Sequence, residues 1–452
     1  MPFAPVILVT DVLLWALVAA VVFYAWYCQR RPHLAAPWKR VFQSRAAAIT
    51  SVLLVCYAVI GLADSLHFRL KLEGGRAYSP EVLSVLDLAL AGLRERREKT
   101  YSAPLATRLY AKETIETADG KSTREFPRLR HGGAHLADES AALKDMLVST
   151  AAGLLLTLVL AVGFFFTAKA MKRRWPDVPW LAVAGTLVAI FAIALPVALL
   201  ARGYHVLGTD KVGTDVLYQA LRSIRVSLVI GTLTTLVLLP LGIALGVMAG
   251  YFRGWIDDAI QYLYTTLNSI PGVLLIAACV LMMQVFVDRH PEWFDTAAQR
   301  ADFRLLVLCG VLGLTSWTGL ARLLRGEALK LSQLEYIQAA HAFGVSDARI
   351  LGRHILPNVA HIVIITLVMD FSGLVLAEAV LSYVGVGVDP ATTSFGTMIN
   401  AARLEMGREP IVWWSLAAAF VFMFVLVLAA NLLADAVRDG FDPRVRVGTV
   451  PV

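Results

Sequence analysis

Few residues of this 452-residue chain have types and spacing suited to chemistry. The densest polar group lies in "EYIQAAHAFGVSDARILGRHILPN", Glu335 to Asn358, which carries Glu335, His341, Asp347, Arg349, Arg353 and His354 between two apolar runs. That segment is too polar for a bilayer interior, where a charged side chain costs roughly 2.5 to 3.5 kcal/mol. Asp370 and Glu378 do sit inside an apolar run, about two helical turns apart, so both can face one side of a helix. Charged groups in such runs face a cavity or a partner. Asp370 is therefore a candidate lining of a polar pathway between helices, Asn268 is a second candidate for it, and Glu378 is a candidate for that lining or for a structural or gating hydrogen bond. His131 and His135 in "HGGAH" have no acidic or cysteine partner at ligand spacing and read as loop residues, so no metal site is expected. Cys28, Cys56, Cys279 and Cys309 lie in or beside apolar runs without a CxxC pair, and read as packing residues. The sequence contains no GxxxxGK[ST] phosphate loop, and no catalytic residue is expected.

The elements that position these residues follow from composition. At 58% hydrophobic and 17% charged, with a mean hydropathy of +0.66, the chain has too little polar surface to stay dissolved and reads as an integral membrane protein. Its net charge of +7 comes mostly from residues beside apolar runs, where positive charge sets topology, so no nucleic-acid partner is expected. A span needs about 20 apolar residues. Nine runs qualify: Val6–Tyr27, Ala46–Ala63, Met146–Ala168, Val178–Ala201, Val226–Phe252, Ala259–Val287, Leu305–Ala321, Asn358–Val384 and Ile411–Ala434. The fold class is thus all-α, a polytopic transmembrane helical bundle of about nine spans with a small extracytoplasmic domain. Arg30, Arg31, Lys39, Arg40 and Arg45 in one short loop, and Lys172, Arg173 and Arg174 in another, place both loops in the cytoplasm and the N-terminus outside. Counting forward puts Glu335–Asn358 and the tail "RDGFDPRVR" in the cytoplasm. The basic cluster follows the first apolar run, so no cleaved signal peptide is expected.

Residues 64–145 fall outside as a long mixed-charge segment, with helical periodicity at Val82–Leu93 and an irregular stretch at Tyr101–Leu136. In "HVLGTDKVGTDVL", Thr209 and Asp210 are good N-caps, with Thr214 and Asp215 as a second start, so a short helix on the outer membrane surface is expected there. Trp413 and Trp414 read as interfacial anchors.

In Glu335–Asn358, Ile337, Ala340, His341 and Gly344 share one helix face, and Ala339, Ala342 and Phe343 widen a surface of mostly small residues. Gly344 can take the positive φ that ends a helix, "VSDARILGRHI" can form a second short helix, and Pro357 suits the first turn of the next span. The result is a compact knuckle that either docks on another protein or lies as an amphipathic loop on the membrane face.

This segment resembles the cytoplasmic coupling motif of permease subunits in ATP-binding-cassette importers, roughly E-A-A, three residues, G, nine residues, I, one residue, L-P. It matches at Ala339, Ala340, Gly344, Leu356 and Pro357, with Gln338 at the first Glu position and His354 at the Ile position. Further blocks over Tyr204–Arg446 are similar to the dipeptide and oligopeptide branch: "HVLGTDKVGTDVLYQALRSIRVSLVIG", "GVMAGYFRGWIDD", "NSIPGVLL", "LTSWTGLARLLRGEALKLSQLEYIQAA", "EAVLSYVGVGVDPATTSFGTMI" and "NLLADAVRDGFDPRVR". Thr214, Tyr262, Thr265 and Ala434 depart from the family's frequent residues without disturbing these blocks. The resemblance implies a permease for peptides or peptide-like solutes in a bacterial inner membrane, not an enzyme. It binds no cofactor itself; separate subunits hydrolyse ATP and engage Glu335, Gln338, Ala339, Ala340, Gly344, His354, Leu356 and Pro357. Its implied partners are a second homologous permease, two ATPase subunits, an extracytoplasmic solute-binding protein and membrane lipid. Six spans are usual in the family, which divides the chain into two N-terminal spans (1–63), the outer segment (64–145), an added hairpin (146–201) and the permease core (202–446). Ala46–Ala63 is the best candidate for the family's first span. Nickel or another small solute remains an alternative cargo. A membrane sensor using 64–145, or an ion-coupled transporter using Asp370, is an alternative class.

Overall fold

The computed structural model describes residues 3–71, 78–116 and 122–441. The chain opens with β1 (Phe3–Val6), α1 (Val9–Gln29), α2 (Pro32–Gln43) and α3 (Arg45–Asp64). The following segment holds β2 (His67–Leu70), β3 (Leu83–Ser84), α4 (Val85–Ala89), α5 (Ala91–Glu95) and the antiparallel pair β4 (Glu113–Glu116) and β5 (Ser122–Glu125). Then come α6 (Ala142–Arg174), α7 (Trp180–Leu200), α8 (Val216–Phe252), α9 (Gly254–Ser269) and α10 (Gly272–Arg289). The remainder is α11 (Ala297–Ser316), α12 (Thr318–Leu331), α13 (Glu335–Ala342), α14 (Asp347–Ile350), α15 (Leu356–Val384), α16 (Phe395–Glu405) and α17 (Trp414–Phe441). Among the described residues, nine helical stretches are long and apolar enough to cross a membrane, in an all-α polytopic arrangement. Residues 442–446 of the tail expected in the cytoplasm lie outside the described residues.

Two compact units share the chain. One comprises the residues up to Val6, Phe42–Ser227 and Thr392–Ala429; the other comprises Ile7–Val41, Leu228–Ala391 and the residues from Ala430 onward.

In the first unit, α6 packs along α7, and α7 packs on α3. The α6–α7 approach is close at Gly153, where a Cβ would lie 2.6 Å from the backbone of Pro196, so a side chain there would force the helices apart. Strand β2 pairs antiparallel with β1 and with β3, a small sheet beside the helices. Ser84 caps α4 in a reciprocal capping box with Asp87, and its hydroxyl also donates to Asp64 Oδ1 at 2.7 Å. The Val82–Leu93 periodicity resolves into α4 and α5, two short helices and not one.

The stretch before α8 corrects an expectation. No helix starts at Thr209 or Asp210: residues 206–215 form turns, with a bridge between Thr209 and Asp215. Only the second cap operates, with Asp215 Oδ1 accepting from the amides of Leu217 and Tyr218 at 2.8 and 3.2 Å. Thr209 is fully buried, and its hydroxyl accepts from the amide of Ser102 at 2.7 Å. A donor-acceptor side chain spent on a loop contact is not available to start a helix. His205, also buried, sits between two carboxylates: Nδ1 is 2.8 Å from Asp215 Oδ2, and Nε2 is 3.4 Å from Glu98 Oε1. Glu98 accepts in addition from the amides of Arg130, His131 and Gly132. Burial by itself would raise the Glu98 pKa, yet the facing His205 and these three amides hold it at about 2. Burial opposes the charge on His205, yet Asp215 and Glu98 raise its pKa to about 9. This buried triad ties residues 98 and 130–132 to the start of α8.

Trp414 is a second correction. It is buried, and its indole N–H donates to the carbonyl of Thr209 at 2.9 Å, so it is a structural pin and not a membrane-interface anchor. Trp413 is exposed. Elsewhere in this unit His135 Nε2 lies 2.9 Å from Asp145 Oδ2, while His131 contributes its backbone amide to Glu98.

In the second unit, Asp302 on α11 caps α1: its Oδ2 accepts from the amides of Val9 and Thr10 at 2.8 and 3.2 Å, and its Oδ1 accepts from the Thr10 hydroxyl. The N-terminal helix is thereby fixed to a helix far away in sequence. The run Ala259–Val287 is not one span. Pro271 holds Ile270 extended, at φ −91° and ψ 130°, and separates the amphipathic α9 from the apolar α10.

Candidate functional site

The knuckle lies wholly in the second unit. α13 runs from Glu335 to Ala342 and closes at Gly344, φ +75°. The Val345 amide donates to Ala340 O at 3.1 Å and the Gly344 amide to His341 O at 3.0 Å, the two bonds of a Schellman end. A β-carbon at Gly344 would meet nothing within 4 Å, so the backbone angle and not crowding within the chain favours glycine. α14 follows and passes through a π turn at Leu351–Ile355 into α15, with Pro357 in the first turn. The second arm of the knuckle is therefore continuous with the following span, not a separate helix.

One side of the knuckle is deeply anchored. Ile337, Ile350 and Ile355 are at most 1% exposed and join Val247 of α8, Leu324 of α12 and Val359 of α15 in one apolar cluster. Burying such side chains contributes about 1.5 to 3 kcal/mol each, which holds the knuckle to the helices behind it. The other side is open. Glu335, Gln338, Ala339, Ala342, Gly344, Ala348 and Gly352 are exposed, and Phe343 at the tip is 86% exposed. An exposed phenylalanine ringed by alanine and glycine is a shape that another surface can cover closely.

Polar contacts brace the arms. Tyr251, in the last turn of α8, donates through its hydroxyl to Asp347 Oδ1 at 2.6 Å, and the Tyr251 hydroxyl oxygen is also 3.1 Å from His341 Nε2. Its ring stacks on His341. Arg253 donates to Ser332 Oγ at 2.8 Å, and these residues border an open recess of about 510 Å3 with Gln333, Ile337 and Gln338. Asp257 and Arg325 form a two-pronged pair at 2.6 Å for both bonds, which holds the Asp257 carboxyl below the usual carboxylate range. Asn358 Nδ2 donates to His354 O at 2.6 Å and to the Tyr336 hydroxyl at 3.3 Å.

All eight residues expected from sequence to engage an ATPase, Glu335, Gln338, Ala339, Ala340, Gly344, His354, Leu356 and Pro357, fall on this one knuckle. Ala340 and His354 are partly buried and the other six exposed. The deeply buried isoleucine is Ile355, one residue after the motif position held by His354. Tyr251, Asp257 and Arg325 were not singled out from sequence, since their partners lie far along the chain; "GVMAGYFRGWIDD" carried the signal only as a block.

Asn268, Glu378 and Asp370, the three pathway candidates, have separate surroundings among the described residues. Asn268 is exposed at the end of α9, its Oδ1 accepting from Thr318 Oγ1 at 3.2 Å. Glu378 is fully buried in α15 and accepts from Ser382 Oγ at 2.7 Å. Asp370 is half-buried and, among the described residues, makes no hydrogen bond or ion pair.

Residues 242–447 match the family model described as "binding-protein-dependent transport system inner membrane component". A glutathione transport system permease of Pectobacterium atrosepticum is 34% identical over 54% of this chain and 73% of its own length. An oligopeptide transport system permease of Mycobacterium bovis is 33% identical over 54% of this chain and 77% of its own length. A dipeptide transport system permease of Lactococcus lactis is 28% identical over 53% of this chain and 64% of its own length. Among solved structures, an inward-facing methionine ABC transporter covers 49% of this chain and 97% of its own, at 16% identity and a TM-score of 0.35. On its match to the family, its identity to these permeases and the nine apolar helices among its described residues, the chain belongs to the binding-protein-dependent transport system inner membrane components: it is a multi-pass permease subunit of an ATP-binding-cassette importer, a transporter component and not an enzyme.

Proposed function

We propose that this permease carries peptides or peptide-like solutes, and that separate ATPase subunits drive it through the knuckle Glu335–Pro357. The cargo reading is supported by relatives named for glutathione, oligopeptide and dipeptide transport. The drive reading rests on one observation above the rest: Phe343 stands 86% exposed on a knuckle whose opposite side is buried against α8, α12 and α15. A force applied at the tip therefore reaches three spans. ATP-driven closure of the ATPases shifts the knuckle, and the spans exchange between inward-open and outward-open arrangements, a two-state element biased by a ligand bound on another polypeptide.

In this reading Glu335, Gln338, Ala339, Ala340 and Gly344 form the contact surface, and His354, Leu356 and Pro357 join it to α15. Asp370 and Asn268 line the pathway, while Glu378 holds α15 in shape. The knuckle and the C-terminus are cytoplasmic, and the N-terminus and residues 64–145 lie outside, where a solute-binding protein delivers cargo. A second, homologous permease completes the pathway, and residues 202–446 are the permease core with 1–63 and 146–201 contributing the further spans. The chain binds no cofactor; ATP belongs to the partner subunits.

The test is uptake of a labelled tripeptide by vesicles holding the complete complex, with and without ATP. ATP-dependent uptake that Phe343→Glu reduces at least tenfold, with the permease still in the membrane, is the expected result. Uptake driven by an ion gradient alone, or insensitive to Phe343→Glu, overturns the reading.

A further inference from the structure

The first unit contains a largely apolar cavity of about 670 Å3, within the roughly 300 to 1,000 Å3 typical of small-molecule sites. Its walls come from α3 at Ile60, α5 at Leu93, α7 at Ile190 and Val197, α8 at Leu221 and α17 at Phe422. Alanines on α7, among them Ala194 and Ala198, keep it open. The Tyr57 hydroxyl in its wall donates to the carbonyl of Phe422 at 2.9 Å and makes no demand on an occupant.

Charge is confined to one end. Arg96 is held there by bonds to the carbonyls of Ala201, at 3.3 Å, and Arg202. Arg202 is exposed, and its side chain makes no ion pair or hydrogen bond among the described residues. From Arg202 back to Ile190 the cavity follows α7 for about 18 Å, at roughly 1.5 Å per residue. Half of the roughly 30 Å hydrocarbon core is about 15 Å. The slot is therefore one leaflet deep, with its two guanidinium groups at headgroup level. A largely apolar slot of that depth with both cations at one end is complementary to an amphiphile that has an apolar chain and an anionic head.

We propose that this cavity holds an acyl chain of an anionic phospholipid from the leaflet on the side of residues 64–145, with the phosphate against Arg96 and Arg202. The site is independent of the transported solute. It makes a bound lipid part of the packing between the α7 hairpin helix, α5 and the start of α8.

The experiment uses the purified full-length chain equilibrated with equal amounts of phosphatidylglycerol and phosphatidylcholine of identical acyl chains, read by native mass spectrometry. The wild type is expected to retain one phosphatidylglycerol. Ala198→Trp, which fills the slot from an exposed position, lowers retention at least tenfold; Arg202→Glu abolishes the preference for phosphatidylglycerol, and Arg202→Lys keeps it. Independently of folding effects in those variants, Ala198→p-benzoylphenylalanine in native membranes gives an adduct of phospholipid mass on irradiation. Absence of retained lipid, equal retention by all variants, or an adduct only to a polypeptide overturns the proposal.

Discussion

The hydroxyl of Tyr251 donates to Asp347 Oδ1 at 2.6 Å, joining the last turn of α8 to the first turn of α14. Because its ring also stacks on His341, one side chain braces both arms of the knuckle. Tyr251→Phe keeps the ring and removes the bond, which at this part-exposed place contributes about 1 kcal/mol. The melting temperature of the complex is expected to change by no more than about 4 °C. Solute-stimulated ATP hydrolysis should nevertheless fall several-fold, because a looser knuckle transmits less of the motion applied to it. Stimulation equal to wild type would mean that the brace plays no part in coupling.

Gly344 supplies a second, graded test. At φ +75° an alanine costs about 1 kcal/mol of backbone strain, and no atom of this chain obstructs its methyl group. Gly344→Ala is expected to weaken ATPase co-purification modestly. Gly344→Asp adds a charge to the proposed docking surface and is expected to abolish it. Equal co-purification by both variants would remove Gly344 from the docking surface.

What the sequence disclosed divides along physical lines. The spans were legible because a bilayer demands a long apolar window that composition alone reveals, and the knuckle because Gly344 and Pro357 mark its bend and its exit locally. Side-chain pairings across long separations were not. Asp302 capping α1, and Glu98 facing His205, have no local signature. Thr209 offered a helix start in propensity but is spent on the Ser102 amide, and a tryptophan beside a span has the same composition whether it meets lipid or, as Trp414 does, a buried carbonyl. The break at Ile270–Pro271 was readable in principle, since proline forces the preceding residue out of the helical region.

The buried triad predicts a pH profile. The His205 pKa is raised from 6.5 to about 9, so its stabilising contribution is complete below about pH 6.5 and is lost as pH rises through about 9. The Glu98 pKa is lowered from 4.5 to about 2, so its contribution is complete above about pH 4.5 and is lost as pH falls towards 2. Stability from this site is therefore greatest between about pH 4.5 and 6.5. His205→Gln leaves two buried carboxylates without their cation, a loss of about 3 to 5 kcal/mol at pH 6. Thermal melts of the purified chain should show a drop of roughly 10 °C at that pH. They should also show that the decline of the wild type from pH 6.5 to 9 is absent from the variant. A parallel decline in both would assign the alkaline loss to another group.

Asp370 and Glu378 share α15 but not an environment, and that difference predicts opposite phenotypes. Glu378 is fully buried and bonded to Ser382, so Glu378→Gln disturbs a packed network and should lower the melting temperature while the transport of the surviving protein stays near normal. Asp370 is half-buried with no protein partner among the described residues, a desolvated carboxyl that the fold does not need. Asp370→Asn should therefore leave the melting temperature unchanged or raise it slightly, whereas ATP-driven uptake by reconstituted vesicles falls several-fold. That combination, a carboxyl whose removal spares the fold but reduces uptake, is the one expected of a group that meets the cargo. If uptake by Asp370→Asn equals wild type, Asp370 does not line the pathway, and its place in α15 is one of helix packing alone.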